Sequence, residues 1–268
     1  MGKIVKPMWR RRSPGSDILI WFTYLLGFAL FIFCMRMISV NTEWFFVWDA
    51  PRVAADLADR MTPPKWEYGL ELARPLWDTL NIATLGTVFA VIIATPVAFL
   101  AARNTTPSIR FVRPVALFII VSSRSINSLI WGLLLVTIIG PGVLAGICAI
   151  TLRSIGFVAK LIYEAIEEID ESQVEAITAT GGSAAQVVSY GIWPQILPAF
   201  AGIAVFRWDI NIRESTVLGL VGAGGIGLQL QASINIVAWQ QVSLILLVIL
   251  GTVVVSEWIS ARVRHAII

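Results

Sequence analysis

The chain has 268 residues, of which 57% are hydrophobic and 14% are charged, and its formal net charge is +3. Soluble domains carry about 25% charged residues, so the composition excludes a soluble globular protein and indicates a polytopic membrane protein surrounded by lipid, with no nucleic-acid partner. The single histidine, His265, excludes a histidine metal site. Cys34 and Cys148 lie in separate apolar runs, which predicts two buried thiols rather than a disulfide.

The N-terminal segment, residues 1–17, is basic. It carries five cations before the first apolar run, and cations next to a membrane span favour the cytoplasmic side. A secretory signal is disfavoured because the apolar run is long and no small-residue cleavage site closes it. The cations are Lys3, Lys6, Arg10, Arg11 and Arg12.

Six segments have the length and apolar character of a membrane span, for which about 20 residues are needed. They cover residues 18–40, 79–102, 114–139, 143–168, 194–220 and 241–262. Alternation from a cytoplasmic N-terminus predicts that both termini and the short arginine-bearing loops are cytoplasmic. Those arginines are Arg103, Arg110, Arg113, Arg262 and Arg264.

The same alternation places residues 41–78 outside. Pro51 and the pair Pro63–Pro64 are predicted to break this stretch into short pieces, one of them a helix with Val53 and Leu57 on its apolar face. The sequence Gly140-Pro141-Gly142 predicts a tight turn, so the third and fourth spans are expected to form a helical hairpin.

Polar and charged side chains occur inside three of the predicted spans. Such groups cost about 2.5–3.5 kcal/mol each to insert and mark transport pathways by default. The excess of arginine over acid would suit a small anion. In the alternative interpretation, the neighbours Arg207–Asp209 and Arg213–Glu214 only hold helices together. The candidate pathway residues are Arg124, Asn127, Arg153, Arg207, Asp209, Asn211, Arg213 and Glu214.

Residues 169–193 fall on the cytoplasmic side and read as two short helices separated by glycine. Ser172 and Glu175 fit a capping box, and Gly181–Gly182 would end the first helix. A second helix is predicted from Ser183 to Tyr190, and Pro194 would open the next span. This elbow suits docking onto a soluble partner; the alternative is an ordinary loop.

The glycine-rich sequence at residues 222–227 has the letters of a dinucleotide-binding fingerprint. That function is disfavoured because a membrane span precedes it and no acidic ribose ligand follows about 20 residues later. A compact external turn that docks a partner is favoured, and the alternative is that the glycines allow the helix at 228–238 to pack closely. The glycines are Gly222, Gly224, Gly225 and Gly227.

The elbow resembles the cytoplasmic signature of ABC importer permeases. Glu175, Ala176, Gly181 and Pro194 stand at the family's spacing, whereas Ile177, Gly191 and Trp193 depart from it. Together with residues 124–127 and 207–227, this segment makes the chain similar to the permeases of the phosphonate/phosphite importer family, from about residue 70 to the C-terminus.

The resemblance implies an all-α membrane protein with the type I ABC importer (MetI-like) permease fold, in a bacterial inner membrane. It implies a basic N-terminus at 1–17, a first span with an external interfacial segment at 18–78, and a permease core at 79–268 with a coupling helix at about 170–193. The coupling residues would be Glu175, Ala176, Gly181, Gly182 and Pro194.

The partners implied are cytoplasmic ATP-binding subunits, a periplasmic substrate-binding protein and a second permease copy, in a homodimer. The chain itself would hold no cofactor and do no chemistry, because it has no Gly-Lys-Ser/Thr phosphate loop and ATP and Mg²⁺ would bind the partner ATPase. The implied substrate is a small phosphorus oxyanion. Alternatives are an ion-gradient-driven anion transporter and an ABC permease for another substrate; a membrane-embedded enzyme lacks the necessary residues.

Overall fold

The computed structural model describes residues 14–267 and contains helices and turns but no strand within that range. The predicted cations of the N-terminus, between Lys3 and Arg12, lie outside the described residues. The helices are α1 (Pro14–Asn41), α2 (Trp44–Met61), α3 (Ala73–Ala101), α4 (Val112–Ser125), α5 (Ser128–Ile139), α6 (Val143–Glu167), α7 (Glu171–Ala179), α8 (Ala184–Gln186), α9 (Trp193–Leu218), α10 (Ile226–Asn235) and α11 (Trp239–Ile267).

Five helical segments of the described chain are long and apolar enough to cross a membrane. They are Asp17–Asn41, Ala73–Ala101, Val143–Glu167, Ala184–Val221 and Trp239–Ala266. The pair α4 and α5 makes a sixth if it counts as one span, although the two helices are bent by 88°. The predicted all-helical fold with about six spans is therefore confirmed.

The prediction of one continuous helix at 114–139 is wrong. The backbone of Ile126 is extended, and the Asn127 side chain accepts a hydrogen bond of 3.0 Å from the Leu129 N–H, which caps a new helix. Asparagine competes with the helix backbone for hydrogen bonds and therefore favours an N-cap. The span breaks at this residue.

The described residues divide into two units between Leu57 and Ala58. The N-terminal unit contains α1, of which residues Asp17 to Asn41 include no buried side chain, and Cys34 is exposed. Both cysteines are free as predicted, but neither is buried. The predicted break at Pro51 is wrong, because α2 runs through it to Met61; a proline inside a helix removes only one backbone hydrogen bond when the kink is tolerated.

Within the larger unit, α6 is the central helix and packs against α3, α4, α5 and α9. Small residues allow this close approach. A Cβ atom added to Gly86 of α3 would lie 2.7 Å from the Ile150 side chain of α6, so a larger residue does not fit between these helices. The small buried residues of α6 include Ala145, Gly146, Ala149, Ser154, Gly156 and Ala159.

The predicted turn at Gly140–Gly142 is confirmed, with φ values of 100° and 144° at its two glycines. The Gly142 N–H donates to the Gly222 carbonyl at 3.1 Å, so the turn and the glycine-rich loop meet at one end of the bundle. The residues 169–193 precede α9, whereas the glycine-rich loop follows it. These two segments therefore lie at opposite ends of α9.

Candidate translocation site and helical elbow

The elbow, residues 169–193, begins with α7, but its cap differs from the predicted one. Asp170 is the N-cap and accepts a hydrogen bond of 3.0 Å from the Ser172 N–H, so the predicted capping box of Ser172 and Glu175 is wrong. Hydrogen bonds from the side chain and the backbone of Ser172 lower the pKa of Asp170 below its ordinary value. Gln195 of α9 accepts from the Asp170 N–H at 2.9 Å and thereby ties the elbow to the membrane helix.

Gly181 ends α7 as predicted. Its φ of +79° lies in the left-handed region that glycine adopts without cost. The Gly181 N–H donates to the Thr178 carbonyl at 3.0 Å and the Gly182 N–H to the Ile177 carbonyl at 3.3 Å. These two bonds are those of a Schellman motif, which satisfies the last carbonyls of a helix.

The second half of the elbow departs from the prediction of a separate helix at 183–190. A capping box does occur there, formed by Ser183 and Gln186. After α8, however, the chain continues through a π-helical turn at Val187–Ile192 directly into α9. Pro194 lies in the first turn of α9 as predicted, where its missing N–H is not needed, although the π-helical turn joins α9 to α8 without a gap.

α7 has an inner and an outer face. Val174 and Ile177 are half-buried, and Val174 packs against the π-helical turn: a Cβ atom on Gly191 would lie 3.4 Å from the Val174 Cα atom. Glu175, Ala176 and Gly181 are exposed. The elbow is therefore anchored on one side and presents the signature residues to solvent on the other.

A buried arginine crosses the middle of the bundle. The side chain of Arg207 on α9 is 3% exposed. Its Nε atom donates to Ser154 Oγ of α6 at 2.9 Å, and a terminal nitrogen lies 3.2 Å from Glu214 Oε2. Its Cζ atom also lies 5.1 Å from the centre of the Phe157 ring, which is within the range of a cation–π contact. Every side of this guanidinium is occupied by protein.

The same network continues to α3. Ser154 Oγ donates to Asn211 Oδ1 at 3.2 Å, and Asn211 Nδ2 donates to Thr87 Oγ1 at 2.7 Å. Thr87 is about 21 Å from the start of α3, given a rise of 1.5 Å per residue, which is halfway along that helix. We call these residues, with Arg207, Glu214, Asp209 and Arg213, the polar layer.

The second ion pair lies within α9, and a serine of α11 donates a hydrogen bond to its carboxylate. Arg213 lies 2.6 Å from Asp209 Oδ2, and Ser256 of α11 donates to Asp209 Oδ1 at 2.8 Å. The neighbours named in the alternative interpretation, Arg207–Asp209 and Arg213–Glu214, therefore do not pair with each other, and the partners are exchanged. Residues one or two apart on a helix point in different directions, whereas those three, four or seven apart share a face.

The remaining candidates lie on α4, α5 and α6. Arg124 is exposed at the end of α4, and Asn127 is exposed at the break before α5. Arg153 of α6 is half-buried, with one terminal nitrogen fully buried and without a hydrogen-bond partner. Its charge is close enough to that of Arg207 for the two to repel. Sequence reasoning missed the hydroxyl members of the network; their signal was a threonine or serine in the middle of a span, at Thr87, Ser154 and Ser256.

The glycine-rich loop is a compact turn with positive φ at Gly222, Gly224 and Gly225. Thr79 Oγ1 of α3 accepts from the Ile226 N–H at 2.7 Å. A Cβ atom on Gly227 would collide with the Thr216 carbonyl oxygen, so close packing of α10 requires glycine there. Gly224, Gly225 and Gly227 are buried, and docking at this loop stays a prediction.

Membrane-crossing helices around a buried charged layer define a membrane transport protein. Residues 94–267 match the family described as binding-protein-dependent transport system inner membrane component, and the chain belongs to this family. It is therefore a multi-pass membrane protein of the transport permease class.

Two curated relatives and one solved structure illustrate the similarity. The chain is 43% identical over 210 residues to the phosphite transport system permease protein PtxC of Stutzerimonas stutzeri, covering 78% of this chain and 76% of that protein. It is 34% identical over 233 residues to the phosphate-import permease protein PhnE of Mycolicibacterium smegmatis, covering 87% of this chain and 43% of that protein.

The fold is similar to that of a chain in the inward-facing MetNI methionine ABC transporter. The TM-score is 0.64 at 24% identity, covering 74% of this chain and 96% of that chain. The predicted MetI-like permease fold is therefore confirmed.

Proposed function

We propose that this chain is the membrane-spanning subunit of an ATP-driven importer for a small phosphorus oxyanion such as phosphite, phosphonate or phosphate. The observation that carries the proposal is the excess of positive over negative side chains in and around the polar layer, in a chain that belongs to this family. Four arginines lie in the interior of the spans, Arg124, Arg153, Arg207 and Arg213, against the two carboxylates of the polar layer, Asp209 and Glu214. An excess of guanidinium in a membrane favours the passage of an anion, and relatives bear the names of phosphite and phosphate permeases.

The exposed face of α7 supports coupling to cytoplasmic ATP-binding subunits. Glu175, Ala176 and Gly181 are presented to solvent, while the contact of Val174 and the bonds of Gln195 hold the elbow against α9. A push on the elbow would thus move α9 and the polar layer on it. Pro194 and Gly182 act by shaping the elbow. ATP and Mg²⁺ would bind the ATPase, and this chain would hold no cofactor and catalyse no reaction.

The further partners proposed are a periplasmic substrate-binding protein at the glycine-rich loop and a second copy of this chain. The loop and the turn at Gly140–Gly142 lie at the end of the bundle opposite the elbow, so a cytoplasmic elbow requires an external loop. Both termini would then be cytoplasmic. A homodimer would give two copies of each arginine around one pathway.

The test is reconstitution of this chain with its ATPase and binding protein in liposomes, followed by uptake of labelled phosphite, phosphate and methylphosphonate. We expect uptake that requires all three proteins and ATP. Uptake that survives ATP depletion while an ion gradient is intact would indicate a gradient-driven transporter instead. Uptake of an unrelated solute but of no phosphorus oxyanion would show a permease of different specificity.

A further inference from the structure

The four arginines at the centre of the bundle are of two kinds. Arg207 is paired with Glu214 at 3.2 Å, and Arg213 with Asp209 at 2.6 Å. Arg124 and Arg153, by contrast, make no ion pair or hydrogen bond with any of residues 14–267, and a terminal nitrogen of Arg153 is buried without a partner. An unpaired cation in a membrane is costly, so these two side chains are the part of the pathway that lacks its counter-ion.

The structure brings the two unpaired arginines to one stretch of α6. A Cβ atom on Gly156 would lie 2.8 Å from Arg124 Cγ, so the Arg124 stem crosses α6 at Gly156. Arg153 precedes Gly156 by three residues and therefore shares its face, one turn away. The Arg124 stem, which starts on α4, therefore contacts α6 one turn away from Arg153.

Ser123 fixes this contact between α4 and α6. Its hydroxyl accepts a hydrogen bond of 2.9 Å from the Gly156 N–H and donates to the Leu152 carbonyl oxygen. The serine side chain is thus inserted into the backbone ladder of α6, next to Arg153. The end of α4 cannot move relative to Arg153 without breaking these two bonds.

The break between α4 and α5 places Arg124 at depth in the membrane. The span breaks by 88° directly after Arg124, and α5 starts at Ser128. α4 is 14 residues long, so its end is about 21 Å from its start, well inside a hydrocarbon core of about 30 Å. Asn127 satisfies the N–H groups of Leu129, Ile130 and Trp131 at the start of α5, so the cationic groups at this depth are those of the two arginines.

We propose that Arg124 and Arg153 hold the phosphorus oxyanion in transit, whereas Arg207 and Arg213 are neutralised by their own helix and serve to hold the helices together. The inference rests on the proposed function. Two guanidinium groups can each give two parallel hydrogen bonds to the oxygens of a tetrahedral oxyanion. Because Arg124 is exposed, the anion is held without being enclosed and can leave.

The proposal is tested with Arg124→Gln, Arg153→Gln and Arg153→Lys in the full complex, using labelled phosphite. Arg110→Gln is the matched control, because it removes the same charge from an exposed position in the loop before α4. We expect uptake to fall at least about tenfold in both glutamine variants of the pathway, with part retained by Arg153→Lys. Uptake by Arg110→Gln should stay within about twofold of wild type.

A second measurement separates substrate contact from a structural role. Because neither Arg124 nor Arg153 makes an ion pair with the described residues, removal of either charge should leave the thermal stability of the complex unchanged or raised. ATP hydrolysis stimulated by the binding protein should persist. Loss of uptake together with lower stability or lost assembly would overturn the proposal, as would uptake within about threefold of wild type in both glutamine variants. A wild-type complex that imports no phosphorus oxyanion would instead refute the proposed function.

Discussion

The ion pair between Arg207 and Glu214 gives the clearest prediction about stability. Glu214→Gln leaves a guanidinium that is 3% exposed without its carboxylate. Breaking a buried pair in this way costs about 3–5 kcal/mol. Since Ser154 and the Phe157 ring still contact Arg207, we expect the lower limit, about 3 kcal/mol, or a fall in Tm of about 6–12 °C at about 2–4 °C per kcal/mol.

The assay is a thermal unfolding curve of the purified chain in detergent. Glu164→Gln is the control, because its pair with Lys160 is 3.4 Å long but has side chains 42% and 37% exposed; an exposed pair at this spacing contributes about 0.3–0.5 kcal/mol. The double variant Arg207→Met with Glu214→Gln should recover most of the lost stability, since no buried charge is then left alone. Equal shifts for Glu214→Gln and Glu164→Gln would refute the reasoning.

Three further predictions concern other contacts. Gly181→Val should abolish uptake although the chain still inserts into the membrane, because valine is strained at φ +79°. Gly181→Asn should retain uptake. Normal uptake by the valine variant would contradict the coupling role. Gly156→Ala should lower both Tm and uptake, because its Cβ would meet the Ile120 carbonyl oxygen and lie 2.8 Å from Arg124 Cγ. The control Gly251→Ala places its Cβ in open space and should change Tm little. Equal changes in Tm for the two variants would argue against the contact of α4 with α6. The pKa of Asp170 is lowered in the folded elbow, so its contribution to α7 is complete above the ordinary aspartate pKa and is lost as the pH falls through the folded value. The protection factors of the α7 amides, which are exchange rates corrected for the pH dependence of the unfolded chain, should therefore fall with pH below the ordinary aspartate pKa more in wild type than in Asp170→Asn. Protection that falls no more in wild type than in Asp170→Asn would show that the carboxylate does not cap the helix.

The elbow shows how far local sequence information reached. The end of α7 at Gly181 was predictable, because glycine in the left-handed region is a local property of the backbone. Its start was not: Asp170 and Ser172 are both competent N-caps in the sequence, and only the structure shows that Asp170 caps α7, with its N–H bonded to Gln195 of α9. The sequence also did not predict that the helix continues from the π-helical turn at Val187–Ile192 into α9.

The membrane spans show the same division between what the sequence predicts and what only the structure decides. The spans, the turn at Gly140–Gly142 and the positions of the intramembrane arginines followed from hydropathy and from glycine and proline, which act over a few residues. The break at Asn127 did not, because a polar residue inside a span caps a new helix only when neighbouring helices accept the bend.

The sequence by itself determined that this is a polytopic membrane protein with charged residues inside its spans. It also determined that the first helix of the elbow ends at a glycine. Only the tertiary structure decided which arginines are neutralised. Pairing depends on distances between side chains that are far apart in the chain or on different faces of one helix: Arg207 meets Glu214 and Ser154, Arg213 meets Asp209, and Arg124 and Arg153 meet no acid among the described residues. The charged residues within a span can be counted from the sequence, but helix packing decides which of them have a partner of opposite charge.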